Sequence, residues 1–404
     1  MNKIKTKLKF REIKTRLENV LAENEDWLCE LALKIHQEPE ISFNEYKTSD
    51  LLVCQLLNNG FKVKTRLAGL PTAFLGISRK DKSHPAIGFL AEMDALSGLG
   101  HACGHNLIAV SSLGASIVLR KAFPSLKGSI ELIGCPAEER GGGKVIMNNA
   151  GVFDHLDFAM LIHPSNRTEI YKLSLALVEI ELVFIGKSSH ASAAPEKGIN
   201  ALDALVQTFN SVNSLRSRLS GHSRINGIIT DGGKAPNIIP DRARAEFWVR
   251  DESLDRALEY AEMVANSARA SALAIGAKAR VKIRQELAYA PFVPNRTAGA
   301  VLWEIYERIG IKLEQGDEKA EMGSTDLGNL SWRVPALHPT IAITPGREVA
   351  PHSVEFARAS ASKQGLEAMK KAILAMALMG YRVMTDSNLR KKMKAELREK
   401  RKLK

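Results

Sequence analysis

Apolar runs too short for a soluble helix punctuate this chain, and several end on residues able to do chemistry. AIGFLAEMD from Ala86 and SIELIGC from Ser129 are the plainest. A nearly continuous apolar run of about seven residues reads as a strand buried on both faces. Such runs alternate with helical stretches as far as His163, which is the grammar of a largely parallel sheet crossed by helices. Before them, Leu28, Leu31, Leu33 and Ile35, then Leu51, Leu52, Leu56 and Leu57, fit two helices between Trp27 and Gly60. Open sheets of this kind hold their ligands beyond the carboxyl ends of the strands, so the residues that follow each run carry the functional signal.

After Tyr171 the pattern changes. Val178, Ile180, Leu182 and Phe184 alternate with Glu179, Glu181 and Val183, as in a half-exposed strand. Leu202, Leu205, Val206, Phe209, Val212 and Leu215 then fall on one helical face. Strands near Ile225 to Thr230 and Arg242 to Arg250, a helix from Leu254 to about Ile275 and a strand at Arg280 to Gln285 complete the unit. Strand, helix, strand, strand, helix, strand is a ferredoxin-like, split βαβ order. We therefore expect an α/β chain with a mixed, largely parallel sheet at 1–172 and 289–404, interrupted by an inserted α+β domain at 173–288. The 404 residues suffice for two cores.

The strand-end words carry the chemistry. Cys103-Gly104-His105 and Pro136-Ala137-Glu138-Glu139 each follow a predicted strand; His163 closes LDFAMLIHP and His352 lies in EVAPHS. A thiolate, imidazoles and a carboxylate suit Zn²⁺ or a similar transition ion. A second carboxylate that binds no metal can take a proton from an activated water. A lone Cys-x-His or Glu-Glu is common and says little. Their joint position at strand ends is the inventory of a two-metal amide hydrolase.

LAEMDAL, GHACGHN, PAEE, LIHP, GKSSHASAAPEKGINALDA, PNIIP and GSTDLG, in this order, resemble the M20 metallopeptidase/amidohydrolase family. The likeness is to its branch of indole-acetyl-amino-acid hydrolases, aminobenzoyl-glutamate hydrolases and aminoacylase-1-like β-alanyl dipeptidases, and it runs from about Ala22 to Tyr381. It implies hydrolysis of N-acyl amino acids, aminobenzoyl-glutamate-like conjugates or short dipeptides. It also implies that the insertion is a lid and dimerisation domain, that the protein works as a homodimer, and that each subunit carries two divalent ions. Zn²⁺, Mn²⁺ and Co²⁺ stay open, because mixed N, O and S donors do not rank them.

By the same resemblance Cys103, His105, Glu139, His163 and His352 are metal ligands, Glu138 is the general base and Asp94 orients a ligand. His190 is expected to reach the partner subunit's site and stabilise the oxyanion. Asn237, Arg250, Gly323 and Ser324 are expected to receive the substrate. Two positions depart from family patterns: Glu92 stands where other branches place a metal-binding His, and Asn106 where many relatives carry Asp. His101 and His338 read as structural. A catalytically silent member acting as a scaffold or regulator is the alternative reading.

The formal charge of +12 lies at the two ends. Met1 to Val20 holds seven Lys/Arg against two Glu, and Arg390 to Lys404 nine against two, leaving Leu21 to Leu389 neutral overall. The body therefore lacks the basic, aromatic-interleaved surface of a nucleic-acid binder. The tails read as frayed or solvated helical ends, with weak contact to an anionic surface as a second reading. The four cysteines, Cys29, Cys54, Cys103 and Cys135, show no close-spaced disulfide pattern, with two of them in stretches read as buried helix. With no apolar leader and no run of 18 or more apolar residues, a cytoplasmic location with reduced thiols is expected.

Overall fold

A computed structural model of the chain describes residues 8–79, 85–314, 318 and 322–402. Residues 1–7 of the basic N-terminal tail and 403–404 of the C-terminal tail lie outside the described residues. The chain divides into two compact units: Met1–Leu173, Val293–Glu321 and Asn329–Lys404 form the first, Ser174–Phe292 and Met322–Gly328 the second.

The first unit opens with helices α1 (Phe10–Ala22), α2 (Glu25–Gln37) and α3 (Tyr46–Asn58), which bury Leu17 and Leu21, Leu28, Leu31 and Ile35, and Leu52 and Leu56. Strands β1 (Lys62–Thr65), β2 (Phe74–Ile77) and β3 (Ala86–Glu92) lead to α4 (His105–Ala122), followed by β4 (Ser129–Cys135), α5 (Gly143–Asn149), β5 (Phe158–Met160) and β6 (His163–Ser165). The second unit contributes β7 (Ala176–Ile185), α6 (Ala201–Leu215), β8 (Arg224–Asp231), β9 (Arg242–Asp251), α7 (Leu254–Ala274) and β10 (Lys278–Ile283). After it come α8 (Arg296–Arg308), the short α9 (Leu327–Ser331), β11 (Ala336–Leu337), β12 (Thr340–Ala342), α10 (Val354–Ala359), α11 (Lys363–Thr385) and α12 (Ser387–Lys402).

The main sheet has the order β1-β2-β4-β3-β5-β11; β4, β3, β5 and β11 run parallel and β1 and β2 pair antiparallel at one edge. Every residue of β3 and β4 is buried, as their unbroken apolar character requires. Helix α4 is buried from His105 to Leu119. It meets α11 closely because Gly114 has no side chain: a Cβ there would lie 2.7 Å from Ile373.

The second unit is an antiparallel sheet of order β10-β7-β9-β8 covered by α6 and α7, the ferredoxin-like arrangement. Val178, Ile180, Leu182 and Phe184 of β7 face Ala243, Ala245, Phe247 and Val249 of β9 in one core. Asn200 and Ser253 cap the two helices, each side chain accepting from backbone N–H groups of the first turn.

Several details differ from expectation. LDFAMLIHP is not one strand. It leaves the main sheet after Met160, and His163 opens β6, which pairs with β12 in a separate two-stranded sheet. Met322–Gly328 joins the second unit, tied there by the Leu175 N–H donating to the Gly323 carbonyl at 2.8 Å. Cys54 is exposed rather than buried in its helix. The described part of the C-terminal tail is a packed helix rather than a frayed end. Leu389, Met393 and Leu397 of α12 are buried, Lys400 Nζ donates to the Pro294 carbonyl, and Lys394 pairs with Asp157. No helix among the described residues is long and apolar enough to cross a membrane.

Candidate metal centre

Strands β3 and β4 run parallel with Glu92 opposite Cys135, so the segments after them leave from the same end of the sheet. One carries Asp94, the other Pro136 to Glu139. The third word is drawn in by a glycine: Gly104 has φ 78°, and a Cβ on it would lie 2.8 Å from Pro164. Only glycine fits there without strain, and the contact seats the Cys-Gly-His turn against the residue that follows His163. Cys103 Sγ consequently lies 3.4 Å from His163 Nε2.

The donor atoms fall into overlapping triads. Cys103, His105 and His163 offer atoms within 4.8 Å of one another; so do Cys103, Glu139 and His352, and so do His105, Glu138 and Glu139. Cys103 is common to the first two. All five expected ligands are thus gathered, with His352 held at φ 58° while its N–H donates to the Ala102 carbonyl.

The donor set fits a divalent ion. His105 Nε2 and Glu139 Oε1 are buried and have no hydrogen-bond partner among the described residues, a cost that a bound cation removes. Burial and the charge of Glu139 push the Cys103 thiol well above its ordinary range, so a thiolate there needs a cation beside it. Burial and the neighbouring His338 hold His163 down to about 3, leaving it the neutral imidazole that metals require.

Asp94 organises both words. Its Oδ1 accepts the Glu138 N–H at 3.1 Å, and its Oδ2 accepts the Glu139 N–H at 3.0 Å and the Ser42 hydroxyl at 2.7 Å. His105 Nδ1 lies 2.8 Å from the Asp94 carbonyl and 3.3 Å from Oδ1, which keeps a proton on Nδ1. Burial opposes charging of the ring, but Cys103 and Asp94 raise its pKa above the ordinary value, so a metal at Nε2 would take the place of its second proton. Burial raises the carboxyl's pKa, but the hydrogen bonds and charge of His105, with Ser42 and the Glu139 N–H, hold it at about 2.

In the second unit His190 and Asn237 sit on adjoining backbones: His190 pairs with Ile238, and the Ala191 N–H donates to the Asn237 carbonyl. The Ser192 and Ala193 N–H groups both donate to His190 Nδ1, which places the ring proton on Nε2. Arg250 Nε lies 3.2 Å from Ser324 Oγ, with its guanidinium 5.0 Å from the Trp248 ring centre. Gly323 offers its carbonyl to Leu175.

The Xaa-Arg dipeptidase of Mus musculus is 32% identical to this chain, over 96% of the chain and 93% of the mouse protein. The chain belongs to the M20 family of metal-dependent peptidases and amidohydrolases. Residues 175–289 match the family's peptidase dimerisation domain. A p-aminobenzoyl-glutamate hydrolase polypeptide of Escherichia coli is 28% identical, over 77% of the chain and 68% of that protein. The solved YXEP protein of Bacillus subtilis, a dinuclear metal binding peptidase of the M20 family, superposes with a TM-score of 0.60 at 19% identity, over 89% of this chain and 99% of that one. As an M20 member the chain is a hydrolase.

Three residues that support this M20 centre are not legible in the sequence. Glu45 is fully buried and accepts the Ala137 N–H at 2.9 Å. Ser42 holds Asp94. Lys144, fully buried in α5, lies 2.8 Å from Glu92 Oε1, while Glu92 Oε2 lies 3.6 Å from His105 Nε2. Burial opposes ionisation of Glu92, but Lys144, with His105, holds its pKa below the ordinary carboxylate value. A glutamate before a helix and a lysine after three glycines look like solvated surface residues; only the fold reveals their burial. His101 is buried with its ring 6.2 Å from that of His36, and His338 stacks edge-on to His163 at 5.4 Å.

Proposed function

We propose that this M20 hydrolase cleaves the amide bond next to a free α-carboxylate in short dipeptides or N-acyl amino acids. Dipeptides ending in a basic residue head the substrate panel, because the mouse relative is named an Xaa-Arg dipeptidase. Aminobenzoyl-glutamate-like conjugates follow, on the name of the E. coli relative. The observation that carries the reading is the pair of donor triads sharing Cys103, with the Glu138 carboxylate alongside.

Cys103, His105 and His163 would hold one divalent ion and Cys103, Glu139 and His352 a second, with Zn²⁺ or Mn²⁺ the first choices and Co²⁺ a substitute. Two such ions supply Lewis acidity that activates a water and polarises the scissile carbonyl. Glu138 takes the proton of the attacking water and delivers it to the leaving amine nitrogen as the C–N bond breaks. Its backbone is held by Asp94, so the carboxylate is aimed by the same residue that sets the His105 tautomer. His190, with its proton on Nε2, is fitted to donate to the oxyanion of the partner subunit's site. Arg250 and Ser324, with Asn237 and Gly323, form the proposed carboxylate and carbonyl contacts, since an Arg fork matches a carboxylate.

The 173–288 insertion is read as the lid and homodimer domain, supported by the dimerisation-domain match and by an exposed β8 edge carrying Ile228 and Ile229. The free cysteines and a ligand thiol suit the reducing cytoplasm. The exposed Lys391, Lys392 and Arg398 of α12 support a weak anionic-surface contact as a lesser proposal.

The test is amine release from a mixed panel of dipeptides, acyl-amino acids and aminobenzoyl-glutamate by reduced, Mn²⁺- or Zn²⁺-loaded protein. Glu138→Gln should keep both ions and the fold and lose roughly 10²–10⁴ in turnover. Wild-type turnover in that variant removes Glu138 as the base. Failure of the wild-type protein to bind any metal removes the whole reading in favour of a silent scaffold.

A further inference from the structure

The Pro136–Glu139 turn contains a backbone conformation that its own sequence does not favour. Ala137 has φ 58°, in the left-handed region that residues with a Cβ rarely adopt. Across from it Phe43 has φ 66°. Both N–H groups donate to one oxygen: Glu45 Oε1 accepts from Phe43 at 2.9 Å and from Ala137 at 2.9 Å. Glu45 Oε2 accepts the Thr72 hydroxyl at 2.8 Å, and the whole side chain is buried. The Phe43 ring closes the far side of the turn, since a Cβ on Gly141 would lie 2.3 Å from it. The segment before α3 also supplies Ser42 to Asp94, and the Glu40 carbonyl to the Ala95 N–H at 2.8 Å. One loop therefore braces both the Asp94 segment and the glutamate pair.

We propose that Glu45 is a positioning residue for the hydrolysis: its carboxylate holds Ala137 left-handed and thereby sets the directions of Glu138 and Glu139. This rests on the roles given above to those two glutamates. Two residues beyond Ala137 the chain must present Glu139 Oε2 3.6 Å from His352 Nε2 and Glu139 Oε1 3.8 Å from His105 Nε2. A relaxed, right-handed Ala137 would turn both glutamate side chains away from those histidines, because a change in one φ swings everything that follows. Asp94 fixes the two N–H groups after the turn and Glu45 fixes the one inside it, so the turn is held at three consecutive residues. Burial and the charge of Asp94 push the Glu45 carboxyl up to about 7, while the donated hydrogen bonds from Thr72 and Ala137 oppose that rise. Either protonation state keeps an oxygen for the two N–H groups, so a glutamine should serve in its place.

The experiment compares Glu45→Ala, Glu45→Gln and the double variant Glu45→Ala/Ala137→Gly, all in the full chain. Metal affinity is measured by competition titration with Zn²⁺, and Co²⁺ spectra report the thiolate-bearing centre independently of turnover. Glu45→Ala should keep its helix content and lose about 10–100-fold in Zn²⁺ affinity and in kcat, with KM changed far less. Glu45→Gln should stay within a few-fold of wild type. Gly at 137 accepts a positive φ without the clamp, so the double variant should recover part of the loss. A purely structural role for Glu45 would lower stability without this rescue of the centre. Wild-type Zn²⁺ affinity in folded Glu45→Ala overturns the proposal. So does a Glu45→Gln as damaged as the alanine. If Glu45→Ala does not fold, a folded double variant that still lacks metal overturns it, and one that binds metal supports it. Absence of metal binding by the wild-type chain instead condemns the proposed function.

Discussion

The carboxylate of Asp94 and the imidazole of His105 form the hinge of this centre: Nδ1 lies 3.3 Å from Oδ1 and 2.8 Å from the Asp94 carbonyl. This pairing decides which ring nitrogen is free, and the same carboxylate gathers the N–H groups of Glu138 and Glu139. Asp94→Asn should therefore weaken metal binding or activity by about 10–100-fold while leaving the fold intact. An amide can accept one of these donors but brings an N–H₂ where only acceptors are needed. Competition titration with Zn²⁺ and circular dichroism on the same sample test this; unchanged affinity would mean His105 is oriented by other means.

The ion pair of Lys144 and Glu92 is fully buried, 2.8 Å apart. Removing one partner leaves an uncompensated charge inside, so Lys144→Met should cost about 3–5 kcal/mol of stability. Removing both charges in Lys144→Met/Glu92→Gln should recover most of that loss. Urea unfolding of the apo-protein measures the three variants without interference from metal. A double variant no more stable than Lys144→Met would show that Glu92 is satisfied by other groups.

Glu45 gives stability a pH dependence of defined sign. Its folded pKa is about 7 against an ordinary value of 4.5. Between those values the folded chain holds a proton that the unfolded chain has released, so this group's contribution falls as pH rises from about 4.5 to 7 and is flat outside that window. The difference in stability between wild type and Glu45→Gln should follow that curve in paired melts across the range. A pH-independent difference would mean the carboxyl does not titrate there.

What was legible in the sequence follows from where the signal lay. Cys103, His105, Glu139 and His163 close or follow apolar runs, and residue type at a strand end is a local property that survives without a structure. The alternation Val178, Ile180, Leu182, Phe184 likewise reports a half-buried strand directly, and those residues are the buried face of β7. Glu45, Lys144 and the left-handed Ala137 were hidden because their roles come from contacts across the sequence: Glu45 meets Ala137 92 positions away, and Lys144 lies 52 positions from Glu92. The C-terminal helix misled for the opposite reason. Its lysines dominate composition, while the three residues that dock it, Leu389, Met393 and Leu397, recur every four positions and are few.

The proposed dimer can be tested through the edge of the second unit's sheet. Among the described residues strand β8 pairs only with β9, and it exposes Ile228 at 61% on one face and Ile229 at 46% on the other. Unpaired edges with apolar side chains invite a second strand, and a lysine on such an edge discourages pairing. Ile228→Lys should shift the protein to monomer in sedimentation velocity. If His190 serves the partner subunit's site, that monomer should lose turnover while keeping its metal. Complementation then separates a shared site from simple loss of stability. Glu138→Gln and His190→Ala homodimers should each be nearly inactive. A mixed dimer joins the intact Glu138 of one protomer to the intact His190 of the other at one of its two sites. Random exchange of protomers should therefore restore about a quarter of wild-type activity. An active Ile228→Lys monomer, or a mixture that exchanges protomers yet stays silent, would return His190 to its own protomer.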